Sequence, residues 1–309
     1  MRKIYGIGET VFDIIFKDGK PEAAKPGGSV LNCVVSVGRI GLPVFFISEF
    51  GLDNIGFLID KFLNVNGVIT SFINRYNDAN TTLAVAFLNE KNDATYSFYK
   101  NYHPGKGKMV YPDVRGNDIL ISGSFYAISH EIRKRFKRLV GGAKKRGALV
   151  IYDPNFRKSH LSGLKSLKPL IIENMQMASL IRGSDEDFKN IFGADDADKA
   201  YKTVKEFCPN LVYTSNNEGV FVRTPGFSGK FPVKKISPVS TIGAGDNFNA
   251  GMITSIYQNK ILAGQLEVLS EKEWSKVISV AVDFATDVCL SYDNYISQAF
   301  ANKFLRKSK

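Results

Sequence analysis

Short apolar runs alternate with stretches of helical period along most of the chain. Val44–Ser48, Ile119–Ser122, Leu149–Asp153, Met177–Ile181 and Leu211–Thr214 are compact apolar runs that predict buried strands. Asn54–Val65, His130–Lys145, Asp198–Phe207, Ala244–Tyr257 and Glu271–Cys289 repeat their apolar positions at helical spacing. Buried strands alternating with helices predict βαβ units. The expected fold is therefore α/β, with a mostly parallel central sheet covered by helices on both faces. Ligands of such sheets sit at the carboxyl ends of strands, where the segments at Asp153 and Thr214 fall.

Two segments break the alternation. Val11–Phe16 with Gly19, and Thr81–Asn89 followed across Glu90-Lys91-Asn92-Asp93 by Thr95–Tyr99, read as short strands and a hairpin inserted among the α/β units. The pattern leaves open whether they stand apart or edge the main sheet. No repeat, low-complexity tract or linker appears, so residues 1–309 are expected to form a single domain.

Composition narrows the setting. Only Cys33, Cys208 and Cys289 are present, an odd number far apart, which suits a reduced, cytoplasmic protein. No window has the apolar length of a membrane span, and Met1-Arg2-Lys3 leads straight into strand-like Ile4-Tyr5-Gly6-Ile7, so no membrane is expected as a partner. His103, His130 and His160 have no zinc-type spacing. The formal charge is +11, much of it in Arg133–Arg138 and Lys144–Arg146. There Ile132, Phe136, Leu139, Val140 and Ala143 share one helical face and the basic residues occupy the other, as in a solvated amphipathic helix. Interleaved exposed aromatics are missing, so nucleic acid is not an expected partner. A basic surface also suits anionic nucleotides.

The richest segment chemically is Ser240-Thr241-Ile242-Gly243-Ala244-Gly245-Asp246-Asn247-Phe248-Asn249-Ala250-Gly251. A glycine-rich turn opening a helix directs free backbone N–H groups and the positive end of the helix dipole at one spot, which suits a phosphoryl group. Asp246, in the first helical turn, is placed to take a proton from an attacking hydroxyl. A plain helix cap with small residues for close packing fits the glycines equally well. Gly6-Ile7-Gly8 lacks the third glycine of a dinucleotide fingerprint, since Val11 stands there, and no G-x-x-x-x-G-K-[ST] run exists.

A second motif, Pro26-Gly27-Gly28-Ser29-Val30-Leu31-Asn32, opens a helical pattern ending at Gly38-Arg39-Ile40-Gly41-Leu42. With Gly8-Glu9-Thr10, Asp13, Asp153-Pro154-Asn155-Phe156-Arg157 and the Gly243–Asp246 run, in this order, the chain resembles the ribokinase-like (PfkB) carbohydrate and nucleoside kinases from about Ile4 to Cys289. The resemblance implies a ribokinase-like sheet, with the inserted strands as a small β lid over the site at about 10–22 and 80–105. It implies ATP and Mg2+ as cofactors, a small-molecule sugar as partner, and a homodimer formed through the lid.

The resemblance also carries residue roles. Asp246 becomes the general base and Gly243, Ala244 and Gly245 the anion hole. Asp13, Gly28 and Asn32 match sugar-holding positions. Arg157 is placed to meet a phosphate or a substrate carboxylate, or else a structural ion pair. Ser184-Asp185-Glu186-Asp187 stands where relatives have N-x-x-E, which implies nucleotide contacts for Ser184 and a metal role for Asp187; a simple N-cap explains the same residues. Thr214, Asn216 and Gly219 align with a nucleotide loop in which Asn216 replaces a glycine. Ser240 replaces an aspartate that relatives use near a monovalent cation, which puts potassium activation in question. Ser291-Tyr292-Asp293-Asn294 stands where relatives carry a Gly-Ala pair beside the adenine pocket.

The resulting expectation is an ATP-dependent sugar kinase, fructokinase first, on the strength of Ser97-Phe98-Tyr99-Lys100 and Asp153–Arg157. A 2-keto-3-deoxygluconate kinase is the alternative, with Lys100 and Arg157 as cations for the substrate carboxylate. The departures at Asn216, Asp187 and Ser240 leave a reading from another class, a catalytically retired sugar- or nucleotide-binding regulator.

Overall fold

The computed structural model describes residues 1–88, 94–100, 110–216 and 218–307. In chain order the first half contains β1 (Ile4–Ile7), β2 (Val11–Lys17), β3 (Lys20–Gly27), α1 (Ser29–Arg39), β4 (Val44–Gly51), α2 (Asn54–Val65), β5 (Val68–Tyr76), β6 (Leu83–Leu88) and β7 (Ala94–Tyr99). Next come β8 (Ile119–Gly123), α3 (Arg133–Lys145), β9 (Leu149–Asp153), α4 (Leu164–Met177), β10 (Leu180–Ser184), α5 (Asp185–Phe192) and α6 (Ala197–Val204). The chain ends with β11 (Leu211–Ser215), β12 (Gly219–Arg223), β13 (Ser228–Phe231), α7 (Ala244–Gln258), α8 (Glu271–Cys289) and α9 (Gln298–Lys307).

Among the described residues, nine strands form one sheet in the order β13-β12-β11-β10-β9-β8-β1-β4-β5. The strands from β11 to β5 run parallel, and β12 and β13 add an antiparallel edge. Successive strand residues enter opposite cores. Ile4, Ile119, Ile121, Leu149 and Ile151 pack with α1, α7 and α8, whereas Tyr5, Leu120, Val150 and Tyr152 pack with α3 to α6. Burial on both faces explains why these strands read as unbroken apolar runs. On α3 the apolar face is buried as its spacing predicts, and Arg133 and Lys137 pair with Glu173 while Lys144 donates to the Ala178 carbonyl at 2.9 Å.

A second sheet, in the order β3-β2-β6-β7, is separate from the first, so the inserted strands do not edge the main sheet. The hairpin turn expected at 90–93 and the outer limit expected at 105 lie outside the described residues. The fold agrees with the expected ribokinase-like α/β architecture plus small β lid, with differences in detail, among them the helix expected at Asp198–Phe207, which is Ala197–Val204. Met177 closes α4, and the strand expected at Met177–Ile181 is Leu180–Ser184, because one apolar run spans the end of a helix and the start of a strand. Strand β3 is mostly polar and exposed, so it carried no apolar signal. Helix α3 begins at Arg133 rather than His130. Among the described residues no helix is long and apolar enough to cross a membrane, and the three cysteines are buried free thiols.

Helix α7, which heads the chemically rich segment, lies close against α8. A Cβ at Gly251 would meet the Val280 carbonyl at 2.6 Å and Ala281 Cα at 2.7 Å, both backbone atoms that cannot rotate away. Gly251→Ala should therefore push α7 off its seat. The expected result in thermal unfolding is a loss of about 1–3 kcal/mol, in spite of alanine's advantage of about 1 kcal/mol in a helix interior. Unchanged Tm would contradict this packing.

Candidate active site

The N-termini of α1 and α7 converge at the carboxyl ends of the parallel strands. Gly243 is the N-cap of α7 with φ +79°, and a Cβ there would lie 2.9 Å from the Asn294 carbonyl, so only glycine fits. The Ala244 amide donates to the Thr241 carbonyl at 3.2 Å. Among the described residues the Gly245 and Asp246 amides have no backbone acceptor, which leaves them for an anion. Buried Asn247 locks the turn: its Nδ2 donates to the carbonyls of Gly243 and Asn294, both at 2.8 Å, while its Oδ1 accepts from Ser36 Oγ.

Asp246 bridges the two helices. Its Oδ1 accepts from Ser29 Oγ at 2.6 Å and its Oδ2 from Asn32 Nδ2 at 2.8 Å. Burial raises its pKa above the ordinary carboxylate value. The bonds from Ser29 and Asn32 oppose the rise, the charge of Asp153 adds to it, and that of Arg157 opposes it. Asn32 is 5% exposed, and its Oδ1 has no partner among the described residues. A buried acceptor of this kind is an offer to a ligand hydroxyl.

The other sugar-type residues surround this bridge. Asp13 lies on β2 of the lid, its carboxylate pressed against Gly27, where a Cβ would come within 2.0 Å of Oδ2. Burial pushes its pKa up to about 6, with the charge of Lys25 opposing the rise. Gly28, with φ +133°, caps α1 and lets the helix approach the connection between β1 and β2, since a Cβ would meet the Glu9 carbonyl at 2.4 Å. Glu9 is held by Ser124 Oγ at 2.8 Å and the Tyr126 amide at 2.9 Å. Its pKa is raised by burial, against those two bonds; the nearby charge of Asp246 raises it further and that of Lys100 lowers it. Lys100, at the end of β7, is thus within electrostatic reach of the floor of the site. Arg157 is exposed and has no hydrogen bond or ion pair among the described residues, so the structural ion pair is not its role.

Some expected nucleotide residues also serve the fold. Ser184 and Asp187 form a capping box on α5: Ser184 Oγ accepts from the Asp187 amide, and Asp187 Oδ2 accepts from Ser184 N at 2.7 Å and Oγ at 2.6 Å. Asp187 Oδ1 accepts from the Phe156 amide, and the residue is 5% exposed. Both oxygens thus accept protein donors, which the N-cap reading of this segment accounts for in full. Gly219, with φ +119°, is required by the close approach of the Phe231 carbonyl, 2.5 Å from its would-be Cβ. Asn216 is an exposed turn residue without positive φ, so this position does not require the glycine it replaces. Thr214 Oγ1 accepts from Arg182 Nη2 at 2.8 Å. No group of three or more acidic, histidine or cysteine side chains among the described residues forms a metal cage. A magnesium ion fits here only in the manner of one held mainly by water and phosphate oxygens.

Ser29, Glu9, Asn247 and Arg182 were not singled out from the sequence. Ser29 stood inside the quoted glycine motif, and a serine at the first position of a helix facing an acid was the available signal. The others depend on contacts between distant parts of the chain.

Backbone amides without backbone acceptors thus stand beside a buried carboxylate shared by two helix N-termini. The chain belongs to the pfkB family carbohydrate kinases, whose family description matches residues 1–289. It is similar to probable fructokinase-4 of Arabidopsis thaliana, 27% identical over 259 residues covering 81% of this chain and 79% of that protein. It is also similar to the fructokinase of Solanum tuberosum, 28% identical over 246 residues covering 77% and 73%. Among solved structures, a fructokinase from Vibrio cholerae O395 with fructose, ADP and calcium ion bound matches with TM-score 0.83 and 20% identity over 99% of both chains. The aminoimidazole riboside kinase of Salmonella enterica, complexed with aminoimidazole riboside and an ATP analogue, matches with TM-score 0.82 and 20% identity over 99% of both. These two structures share the fold.

The capping assignment of Asp187 has its own test. Asp187→Ala leaves the Phe156 and Ser184 amides without acceptors and should cost about 2–4 kcal/mol of stability. The magnesium concentration giving half-maximal activity should stay at the wild-type value. A shifted magnesium dependence with unchanged Tm would favour the metal role.

Proposed function

We propose that this kinase transfers the γ-phosphoryl group of ATP to a hydroxyl of a neutral sugar, with fructose first among the candidates. The observation that carries this reading is the shared carboxylate of Asp246. It is fixed by Ser29 and Asn32 at the mouth of the Gly243–Asp246 turn, next to the unpaired Asn32 Oδ1. In this reading the sugar hydroxyl donates to Asp246, while a neighbouring hydroxyl donates to Asn32 Oδ1. Asp13 accepts further hydroxyls from the lid side. As the new O–P bond forms and the bond to the leaving ADP breaks, the hydroxyl proton passes to Asp246, a role worth roughly 10²–10⁴-fold. The Gly245 and Asp246 amides face the transferring phosphoryl group and offset its charge. Magnesium supplies further charge neutralisation on the phosphates when bound.

The acids favour an uncharged substrate. The charges of Glu9 and Asp246 act on each other, Asp13 adds a third acid from the lid, and the named relatives are fructokinases. Arg157, exposed and without a hydrogen bond or ion pair among the described residues, supports a second reading, in which it receives the carboxylate of 2-keto-3-deoxygluconate. A retired binder has no use for a base held this tightly. Exposed Phe87, Phe98 and Tyr99 suit the lid to pairing with a second copy. Buried free thiols suit a reducing, cytoplasmic setting. Ser240 Oγ accepts from the Ile242 amide at 3.2 Å and so stabilises the turn itself, in keeping with activity that does not depend on potassium.

A coupled ADP-release assay across fructose, ribose, 2-keto-3-deoxygluconate and adenosine tests the assignment. ATP turnover should appear only with a sugar acceptor and be fastest with fructose. No turnover with any of them, or hydrolysis without sugar, would overturn it. Asp246→Asn should lower kcat by at least about 10²-fold, or about 2.7 kcal/mol, with a smaller change in sugar affinity; near-normal kcat would remove the base.

The raised pKa of Asp13, about 6, makes a separate prediction. Hydroxyls donating to the carboxylate favour its ionised form, so sugar affinity should be full above that pH and fall as pH drops through it. Titration calorimetry between pH 5 and 8, roughly bracketing that pKa, checks this. Asp13→Asn should bind more weakly and lose this pH dependence; a pH-dependence unchanged by the substitution would assign it elsewhere.

A further inference from the structure

We propose that Arg182 is a positioning residue for phosphoryl transfer. Its buried guanidinium, fixed between the ends of β9 and β11, seats the turn at the head of α7 and makes it selective for the terminal phosphate of ATP. The proposal rests on the reading of Gly243–Asp246 as the phosphate-receiving turn. Arg182 projects from the middle of β10 and is 7% exposed. Nη1 donates to Asp153 Oδ2 at 2.8 Å, and Nη2 donates to Thr214 Oγ1 at 2.8 Å. The guanidinium lies over the Phe248 ring, 5.4 Å from its centroid, on the underside of α7. A Cβ at Gly245 would come within 2.8 Å of Nη1, so the charge sits directly beneath the turn.

The sign of this charge is informative. A cation beneath a helix N-terminus faces the positive end of the helix dipole, which is unfavourable until an anion arrives. Asp153 offsets the cost without cancelling the local field. Its Oδ2 also accepts from Asn249 Nδ2 at 2.6 Å, one helical turn beyond Gly245, so the positive end of the ion pair is the end nearest the turn. Stability alone is a poor reason for the arrangement. Buried ion pairs commonly add little net stability, and Arg182 Nε remains buried with no partner among the described residues. Arginine suits the place because its planar fork reaches acceptors on two neighbouring strands at once, which a lysine ammonium does with less definition.

Calorimetric titration of the full chain with ATP and with ADP, in magnesium and without sugar, tests the proposal, with Tm recorded for each variant. Arg182→Gln should weaken ATP at least about tenfold more than ADP, the scale of one charge acting across several ångströms. Arg182→Lys keeps the charge and should hold the ATP-to-ADP ratio within about threefold of wild type. Gly245→Ala, which drives a methyl group against Nη1, should reproduce the selective loss of ATP and serves if the glutamine variant does not fold. Equal loss of ATP and ADP in Arg182→Gln would reduce Arg182 to a structural residue and overturn the proposal. So would a lysine variant as unselective as the glutamine one. Failure of the wild type to phosphorylate any sugar would count against the proposed function, whereas the nucleotide ratio still decides Arg182.

Discussion

Two helices of this protein point their N-termini at the same place, and the fold depends on what stands between them. Both dipoles present positive ends there, and both first turns present unmade N–H groups. The carboxylate of Asp246 lies in that gap, tied by Ser29 and Asn32 to the opposite helix. Its charge relieves the opposition of the dipoles, while burial resists that charge and raises its pKa. A group balanced in this way is suited to exchanging a proton, and it holds the halves of the site together.

The sheet supports the same junction from below. Parallel strands deliver Asp153, Arg182 and Thr214 side by side to one face, and α7 rests on them through Phe248 and Asn249. Polar atoms at this depth are tolerated because nearly all are paired. Asn32 Oδ1, without a partner among the described residues, lies beside the Asp246 carboxylate. The α7–α8 contact at Gly251 and the Asn247 lock then fix the height and tilt of the turn.

Much of this was legible in the sequence, for identifiable reasons. Leu149–Asp153, Asn54–Val65 and Glu271–Cys289 matched their elements at both ends because burial, capping and period agreed there. The glycine turn before Asp246 was legible because only glycine tolerates the φ of Gly243 and the close approach of Asn294. The partners of Asp246 were less so, since Ser29 is 217 positions away from it. Arg182 fell just past the apolar run expected to end at Ile181, and its meaning appears only when β9, β10, β11 and α7 come together. Asp187 carried two readings in the sequence, since one acid at the start of a helix serves a metal or a cap equally well, and its contacts with Ser184 and Phe156 supply the cap.

The lid and the base are joined by almost no chain. Strand β3 ends at Gly27 and α1 begins at Ser29, so Gly28 alone separates the wall of the lid from the residue that grips Asp246. Tyr295 Oη bonds to the Pro26 carbonyl at 2.6 Å, and Lys25 Nζ to the Tyr292 carbonyl at 2.5 Å, which anchors the same strand to the loop touching the α7 turn. In the proposed reading a lid joined so closely to Asp246 works as a safety catch: displacing it would also disturb the grip on the carboxylate, leaving a molecule that carries only nucleotide poorly set to spend it on water.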